Sequence, residues 1–223
     1  MALVKQERGN FWCLDWLDDF MVGHKGFICG GCFKNIFNGE RVKDIDIFFE
    51  SKRDWEDAVE YFDSMTEGYE GDYERPVTYY FYYENDNVKA YKHIQRGIVL
   101  ELCNKIYGSA EQILSQFDFT ITKFAYYKEE VEDYSPFEDS DGKSTHIEYK
   151  VMHDSAFFEH LHMKRLVTDD KIPFPMSTFE RMLRYAKYGY FPCKETKLKI
   201  VKALRGLSEQ QVSVSENLYD GMD

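Results

Sequence analysis

The segment from Phe27 to Phe49, FICGGCFKNIFNGERVKDIDIFF, constrains the fold of this chain more than any other. A short apolar run ends in two glycines, a helical pattern follows and closes at Asn38-Gly39, and a partly β-branched apolar run begins at Ile45. Short apolar runs between turn residues are typical of buried strands. The segment therefore predicts a strand, a glycine turn, a short helix and a second strand.

The rest of the chain divides into a mixed part and a purely helical part. Apolar spacing predicts helices over 11–22 and 54–65, and two extended runs on either side of residues 84–87 predict a β-hairpin. Further elements are predicted as strands at 98–103, 119–127 and 145–151, a capped helix at 109–116, a surface loop at 129–143, and helices at 155–165, 177–188 and 194–205.

This pattern predicts an α+β fold, with a mixed-sheet domain over residues 1–151, a C-terminal helical region over 152–206 and a loose polar tail over 207–223. Hydrophobic residues make up 43% of the chain, which is enough to bury a core and excludes disorder throughout. The net charge is −12, and an acidic protein is a poor non-specific ligand for nucleic acid. Any contact with nucleic acid must therefore be local.

Nothing in the sequence indicates insertion into a membrane or export. The longest apolar stretches, such as 98–103, are far too short to span a bilayer, and the N-terminal MALVKQERGN lacks an apolar signal core. The five cysteines are an odd count without regular spacing, which is typical of reduced thiols. We therefore expect a cytoplasmic protein without a membrane partner.

Asp44 and Asp46 are the first candidates for chemistry. They lie one residue apart at the start of a predicted strand, so both carboxylates point to the same face. Two close carboxylates repel each other unless a hard cation lies between them, and such a pair suits a two-Mg²⁺ site that holds a nucleoside triphosphate. Gly30-Gly31 lets the backbone approach a phosphate closely. Each feature alone is common, but together they predict phosphate chemistry.

The same segment resembles the head-domain signature of the polymerase-beta-like nucleotidyltransferases. The match consists of Gly30-Gly31, the short helix, Asn38-Gly39 and Lys43-Asp44-Ile45-Asp46-Ile47. It is most similar to the branch that contains the tRNA CCA-adding enzymes and the bacterial poly(A) polymerases. Residues 117–121 resemble the Arg-Arg-Asp-Phe-Thr motif of that branch, and residues 181–186 resemble its helical Arg-x-x-Arg motif. The resemblance covers roughly residues 27–190 and fits a minimal stand-alone member.

This resemblance implies a nucleotidyltransferase head with a mixed sheet and flanking helices. It implies an enzyme that transfers a nucleoside monophosphate from a triphosphate such as ATP to a hydroxyl and releases pyrophosphate. Asp44 and Asp46 would bind both divalent ions, Mg²⁺ or Mn²⁺. Glu101 is either a third catalytic carboxylate, which assists the attacking hydroxyl, or an acid that faces solvent at a sheet edge. The nucleotide-binding residues that the resemblance implies are Gly30, Gly31 and Lys34 for the triphosphate, Asp118 for the sugar, and Arg181 and Arg184 for the nucleotide or its phosphates.

An RNA 3′ end is the expected acceptor. The segment 181–205 holds eight basic residues and one acidic residue in an otherwise acidic chain. Lys197, Lys199 and Lys202 lie beyond the matched motifs and are expected to contact RNA, tRNA included. A charge run is more often a solvated helix face, and a protein or small-molecule acceptor also stays open.

Three other interpretations stay open. Cys29-Gly-Gly-Cys32, between a strand and a helix, is the context of a thioredoxin-like redox motif. A run of tyrosines either stacks bases or packs in a strand pair, and it consists of Tyr79, Tyr80, Tyr82 and Tyr83. Ser177-Thr178 stands where the CCA-adding branch has its base-reading Glu-Asp pair. The chain is alternatively a catalytically reduced nucleotidyltransferase fold that binds or regulates without turnover.

Overall fold

The computed structural model describes residues 2–9, 11–67, 69–70, 73–74, 77–133 and 144–207. The chain folds into two compact units. The first unit, here called the sheet unit, consists of Leu3–Ser115 and Phe124–His153. The second, here called the helical unit, consists of Gln116–Lys123 and the chain from Asp154 onward, and the first two residues of the chain also belong to it. The predicted tail and most of the predicted 129–143 loop lie outside the described residues.

The sheet unit contains ten strands in its described residues, and eight of them form one mixed sheet. The strands, in chain order, are β1 (Leu3–Glu7), β2 (Phe27–Cys29), β3 (Asp44–Phe49), β4 (Tyr69–Glu70), β5 (Tyr73–Glu74), β6 (Tyr79–Asn85), β7 (Val88–His93), β8 (Val99–Tyr107), β9 (Phe124–Asp133) and β10 (Ser144–Asp154). The order across the sheet is β1-β10-β9-β2-β3-β8-β7-β6, and β4 and β5 form a separate pair. Strands β3 and β8 run parallel, whereas β2 with β3 and β7 with β8 are antiparallel.

Three α-helices and a 3-10 helix accompany this sheet. Their bounds are α1 (Cys32–Phe37), α2 (Lys52–Ser64), α3 (Ala110–Leu114) and a 3-10 helix over Trp12–Phe20. Helix α2 begins after Ser51 because Ser51 and Asp54 form a reciprocal capping box. It packs on the centre of the sheet, where the Trp55 indole donates a hydrogen bond to the Leu102 carbonyl at 3.1 Å.

The alternation of side chains along β3 separates the core from the candidate site. Ile45, Ile47 and Phe49 are fully buried on one face. Ile45 lies in register with Leu100 of β8, which is itself in register with Tyr91 of β7, and the Tyr91 ring stacks on Phe62 of α2. The core therefore lies between this face and α2, and Asp44 and Asp46 point away from it.

The helical unit has a smaller core of its own. Its elements are a 3-10 helix over Thr120–Thr122, α4 (Phe157–His162), β11 (Arg165–Leu166), α5 (Pro175–Lys187), β12 (Phe191–Pro192) and α6 (Lys194–Arg205). Strands β11 and β12 pair in parallel. Phe119, Tyr185 and Tyr190 are buried, with the Tyr185 ring in edge contact with both others. Helix α6 begins after its N-cap Cys193, whose sulfur accepts a hydrogen bond from the Thr196 amide.

Most of the predicted elements are confirmed, with five corrections. The hairpin β6–β7, helix α2 and the Ser109 cap of α3 are confirmed. The helix predicted over 11–22 is wrong in type, because the chain forms a 3-10 helix there. Strand β1 was not predicted, and Glu129–Asp133, predicted as loop, extends β9 because β10 pairs with it. The strand predicted over 119–127 begins only at Phe124, because Thr120–Thr122 forms a 3-10 helix. The part predicted as purely helical also contains the strand pair β11–β12. Among the helices of the described ranges, none is long and apolar enough to cross a membrane.

Candidate active site

Asp46 lies at the centre of a row of side chains that crosses the sheet. In register it faces Cys29 of β2 on one side and Glu101 of β8 on the other. Adjacent strands are about 4.8 Å apart, so the two acids are direct neighbours. Asp44, two residues earlier on β3, projects from the same face and is exposed, whereas Asp46 is half-buried. The sheet therefore brings three predicted acidic site residues together on one face, here called the acidic face. Asp44, Asp46 and Glu101 are called the acidic row below.

Glu101 is fixed in this row by a tyrosine from a more distant strand. The Tyr83 hydroxyl donates a hydrogen bond of 2.7 Å to Glu101 Oε1. Tyr83 is in register with Ala90 of β7, and Ala90 with Glu101. Burial raises the pKa of Tyr83, and the hydrogen bond to Glu101 raises it further, so the phenol stays a donor at neutral pH. Strand β8 lies between β3 and β7, so Glu101 does not lie at a sheet edge.

Gly30 makes the turn between β2 and α1. Its φ is +97°, a backbone conformation that glycine adopts without the steric cost that a Cβ would add. Its amide donates a 3.1 Å hydrogen bond to the Phe124 carbonyl, which ties the turn to β9. Gly31 is the N-cap of α1. The predicted glycine turn therefore lies next to the carboxylates of the acidic row.

Lys34, predicted to hold the triphosphate, is buried in α1. Its side chain is 8% exposed, and Nζ lies 2.9 Å from Glu40 Oε2. Glu40 is half exposed and lies just after the Asn38-Gly39 turn. A triphosphate that reaches Lys34 would therefore compete with Glu40 for the ammonium.

Three thiols surround Asp46. Cys29, Cys32 and Cys103 are all buried and unbridged. Burial raises the pKa of each thiol well above its ordinary value, and the nearby Asp46 carboxylate adds to the rise. Because the thiolate is the reactive form, these residues are poor nucleophiles at neutral pH. The environment of Cys29 and Cys32 disfavours the redox interpretation.

The acidic row suits a hard divalent cation by its donor chemistry. Asp44, Asp46 and Glu101 offer only carboxylate oxygens, which Mg²⁺ and Mn²⁺ prefer over the nitrogen and sulfur ligands of zinc. Their closeness also gives a cation an electrostatic advantage, since neighbouring carboxylates repel. Within the described residues, no group of three or more His, Cys, Asp and Glu side chains has the arrangement of a metal site. A metal would therefore have to draw these carboxylates together.

The helical unit holds its predicted nucleotide-binding residues in an ion pair. Asp118, 5% exposed, accepts a 2.9 Å hydrogen bond from Arg181 Nη1 of α5. Arg184 is exposed and lies three residues further along the same helix. The structure therefore brings Asp118 and Arg181 together, as partners of each other.

The three lysines predicted to contact RNA differ in their surroundings. Lys199 Nζ lies 2.9 Å from Glu195 and 3.0 Å from Asp170, and these contacts raise its pKa. Lys197 and Lys202 are exposed on α6. Only these two present their charge mainly to solvent.

Sequence reasoning missed Tyr83 and Glu40 as neighbours of the site. Tyr83 was singled out only as part of the tyrosine run, because its reach to Glu101 depends on strand pairing that crosses β7. Glu40 follows a turn six residues after Lys34, a separation that carries no recognisable signal.

The fold is similar to that of solved nucleotidyltransferases. A Thermotoga maritima CCA-adding enzyme complexed with tRNA is 14% identical, with a TM-score of 0.52, and the match covers 92% of this chain and 46% of that one. A CCA-adding enzyme in complex with CTP gives 14% identity, a TM-score of 0.50 and the same coverage of both chains. This chain thus spans about half the length of these structures. These likenesses establish the predicted α+β nucleotidyltransferase fold.

The family is established by a separate comparison. The family model described as "Gabija anti-defense 2 family protein" matches residues 7–164. The chain therefore belongs to the Gabija anti-defense 2 family. A search of the curated proteins finds no match.

Proposed function

We propose that this protein is a divalent-metal-dependent nucleotidyltransferase that transfers a nucleoside monophosphate to a hydroxyl, and that this transfer counteracts a Gabija defence system. The observation that carries the proposal is the register of Asp46 with Glu101, with Asp44 on the same face and the Gly30 turn beside them. The nucleotidyltransferase fold supports the chemistry, and the family match supports the role.

Each residue of the acidic row has a proposed part in the reaction. Asp44 and Asp46 would hold the divalent ions, which when bound neutralise the triphosphate and make the acceptor hydroxyl more acidic. Glu101 accepts the proton of that hydroxyl at its carboxylate, where Tyr83 fixes the orientation of the side chain. The amides of the Gly30-Gly31 turn bind phosphate oxygens. The sugar and phosphate roles of Asp118, Arg181 and Arg184 stay predictions.

The proposed acceptor is the 3′ end of an RNA. Lys197 and Lys202 present positive charge to solvent on α6, and backbone phosphates are the ligands that such residues attract without regard to sequence. The structural neighbours include an enzyme complexed with tRNA, which supports the same class of acceptor.

A second candidate function is binding of a nucleotide or partner without turnover. Two observations favour it: Lys34 is already paired with Glu40, and Glu101 already accepts the Tyr83 hydroxyl. A lysine that stays paired with Glu40 does not hold the triphosphate for transfer, and a carboxylate that stays hydrogen-bonded to Tyr83 is a weaker base toward an acceptor hydroxyl.

Labelled nucleotides separate the two candidates. The protein is incubated with each of four α-labelled NTPs, Mg²⁺ and total RNA, alongside Asp46→Ala and the control Glu50→Ala, which changes an exposed acid just after β3. We expect labelled RNA and pyrophosphate with the wild type and Glu50→Ala, and neither with Asp46→Ala. The same variants, expressed in cells that carry a Gabija system, should lose or retain anti-defence in parallel. NTP binding without transfer to RNA or any protein in the extract would favour the second candidate.

A further inference from the structure

A bulge in β6 places three tyrosines on the acidic face of the sheet. Tyr80 lies in register with Lys92 and Tyr83 with Ala90, and the register shifts between Phe81 and Tyr83. The extra residue, Tyr82, has its ring 6.4 Å from that of Tyr80 and 5.7 Å from that of Tyr83, measured between centroids. A continuous row of aromatic rings therefore runs along this edge strand.

This aromatic row is continuous with the candidate active site. The register runs from Asp44 through Val99 and Lys92 to Tyr80 in one cross-strand line. The neighbouring line runs from Asp46 to Tyr83, whose hydroxyl contacts Glu101. Three strand spacings separate each aspartate from its tyrosine, about 14 Å between backbones.

Core packing does not account for Tyr80 and Tyr82. Tyr79 is buried, with its ring against Phe62 and His93, and so belongs to the core. Tyr80 and Tyr82, in contrast, are 43% and 49% exposed. Exposed aromatic side chains grouped beside a site mark a binding surface more often than isolated ones do.

A cation completes the surface. Lys92 Nζ lies 5.3 Å from the centroid of the Tyr82 ring. Rings on which bases stack, combined with a positive charge that follows the backbone, are the usual components of single-strand binding surfaces. Such stacking tolerates any sequence, because every base has a π-face.

We propose that Tyr80, Tyr82 and Lys92 form a stacking platform for single-stranded RNA, which delivers the 3′ end of the acceptor to Asp46 and Glu101. This proposal rests on the proposed function for the destination of the strand, but the binding itself is independent of catalysis. The platform would bind the last bases of the acceptor by stacking, and not by base-specific hydrogen bonds.

The test uses a short single-stranded RNA that carries 2-aminopurine near its 3′ end, without NTP. Tyr80→Leu/Tyr82→Leu removes the rings but keeps apolar bulk, and Tyr80→Phe/Tyr82→Phe keeps them. The matched control is Phe81→Leu, since Phe81 is 52% exposed on the same strand but is in register with buried Tyr91 on the opposite face. We expect the leucine pair to weaken binding by about 30-fold or more and to abolish fluorescence quenching, because each stacked base contributes appreciably. The phenylalanine pair and the control should bind like the wild type.

Transfer kinetics distinguish failure of the platform from failure of the proposed function. In the leucine pair, KM for RNA should rise while KM for the NTP is unchanged. Equal RNA binding by the wild type and the leucine pair would overturn the platform and point to a protein partner for the aromatic row, even where transfer persists. Loss of RNA binding in the leucine pair would support the platform even where no transfer is found in any variant.

Discussion

The carboxylates of the sheet unit and of the helical unit have neighbours of opposite charge: an acid in the first and an arginine in the second. In the sheet unit Asp46 lies in register with Glu101, so that acid neighbours acid. In the helical unit, buried Asp118 is neutralised by Arg181. Opposite charges in contact offset the cost of each other's burial, whereas neighbouring carboxylates repel each other and attract a cation. The sheet unit therefore offers a cation two adjacent carboxylates, whereas the Asp118 carboxylate of the helical unit already has an arginine partner.

Apart from changes at Asp46, the largest effect is expected for a change at Glu101. Glu101→Gln keeps the shape of the side chain but removes the proton acceptor, so kcat should fall by roughly 10²- to 10⁴-fold, the range of general-base catalysis. NTP binding, measured by calorimetry with Mg²⁺, should change much less. Glu111→Gln, at an exposed position on α3, is the control. A kcat for Glu101→Gln equal to that of the control would remove Glu101 from the site.

His24 is a buried ionisable residue of the sheet unit, and its side chain hydrogen-bonds to two backbone groups. Its Nε2 hydrogen-bonds the Phe20 carbonyl at 2.7 Å, and its Nδ1 accepts from the Gly26 amide at 3.0 Å. Burial lowers the pKa of His24 to about 4. The unfolded chain binds a proton near pH 6.5 and the folded chain does not, so stability falls as the pH drops from 6.5 to 4.

The loss attributable to His24 is on the order of 3 kcal/mol over this window. His24→Gln keeps a donor and an acceptor but cannot titrate, so its free energy of unfolding should depend less on pH. Urea unfolding at pH 7 and pH 4.5 measures the difference. An identical pH dependence in both proteins would show that His24 is protonated in the folded state.

The ion pair of the helical unit should contribute to stability. Arg181→Ala leaves the buried Asp118 carboxylate without this partner, and we expect a loss of about 2 kcal/mol, less than for a fully buried pair because the Arg181 side chain is 34% exposed. Lys187→Ala, an exposed position on the same helix, should change stability by less than about 0.5 kcal/mol. Equal stability of the two variants would mean that Asp118 does not depend on Arg181.

The smallest effect concerns the exposed lysines of α6. Lys197→Glu/Lys202→Glu should flatten the dependence of log affinity for single-stranded RNA on log salt by about 1.4, since each lost phosphate contact contributes about 0.7. Lys199 is left unchanged because it is already paired with Asp170 and Glu195. An unchanged salt dependence, measured by fluorescence anisotropy, would mark this surface as solvated only.

The local residue pattern was enough to predict the strands and helices on which the site residues lie, but not the contacts between those residues. The alternation in β3 and the cap at Ser109 depend on a few adjacent residues, so the sequence predicts them. Strand β1, in contrast, is polar and mostly exposed, and has no alternation to detect. The neighbourhood of Asp46 and Glu101 depends on β3–β8 pairing across 55 positions of the sequence, which no local pattern encodes.

The same limit applies to the surroundings of the predicted site residues. Asp118 and Arg181 were predicted as separate nucleotide contacts, yet they are 63 residues apart in sequence and form one ion pair. Tyr83 reaches Glu101 only because β6 carries a bulge. Residue types therefore suggest a chemistry for the site, whereas strand register decides which residues lie together in it.

The central claim is that the acidic row exists for a ligand and not for the fold. Its most direct test measures transfer rate and free energy of unfolding on the same preparation of Asp46→Asn, an uncharged isostere. We predict that transfer falls by about 10³-fold or more, since metal ions contribute several kcal/mol to such steps. Mg²⁺ should raise the free energy of unfolding of the wild type by binding the folded state, and should raise that of the variant less. A variant that transfers at the wild-type rate, or that Mg²⁺ stabilises as much as the wild type, would contradict a metal site at Asp46.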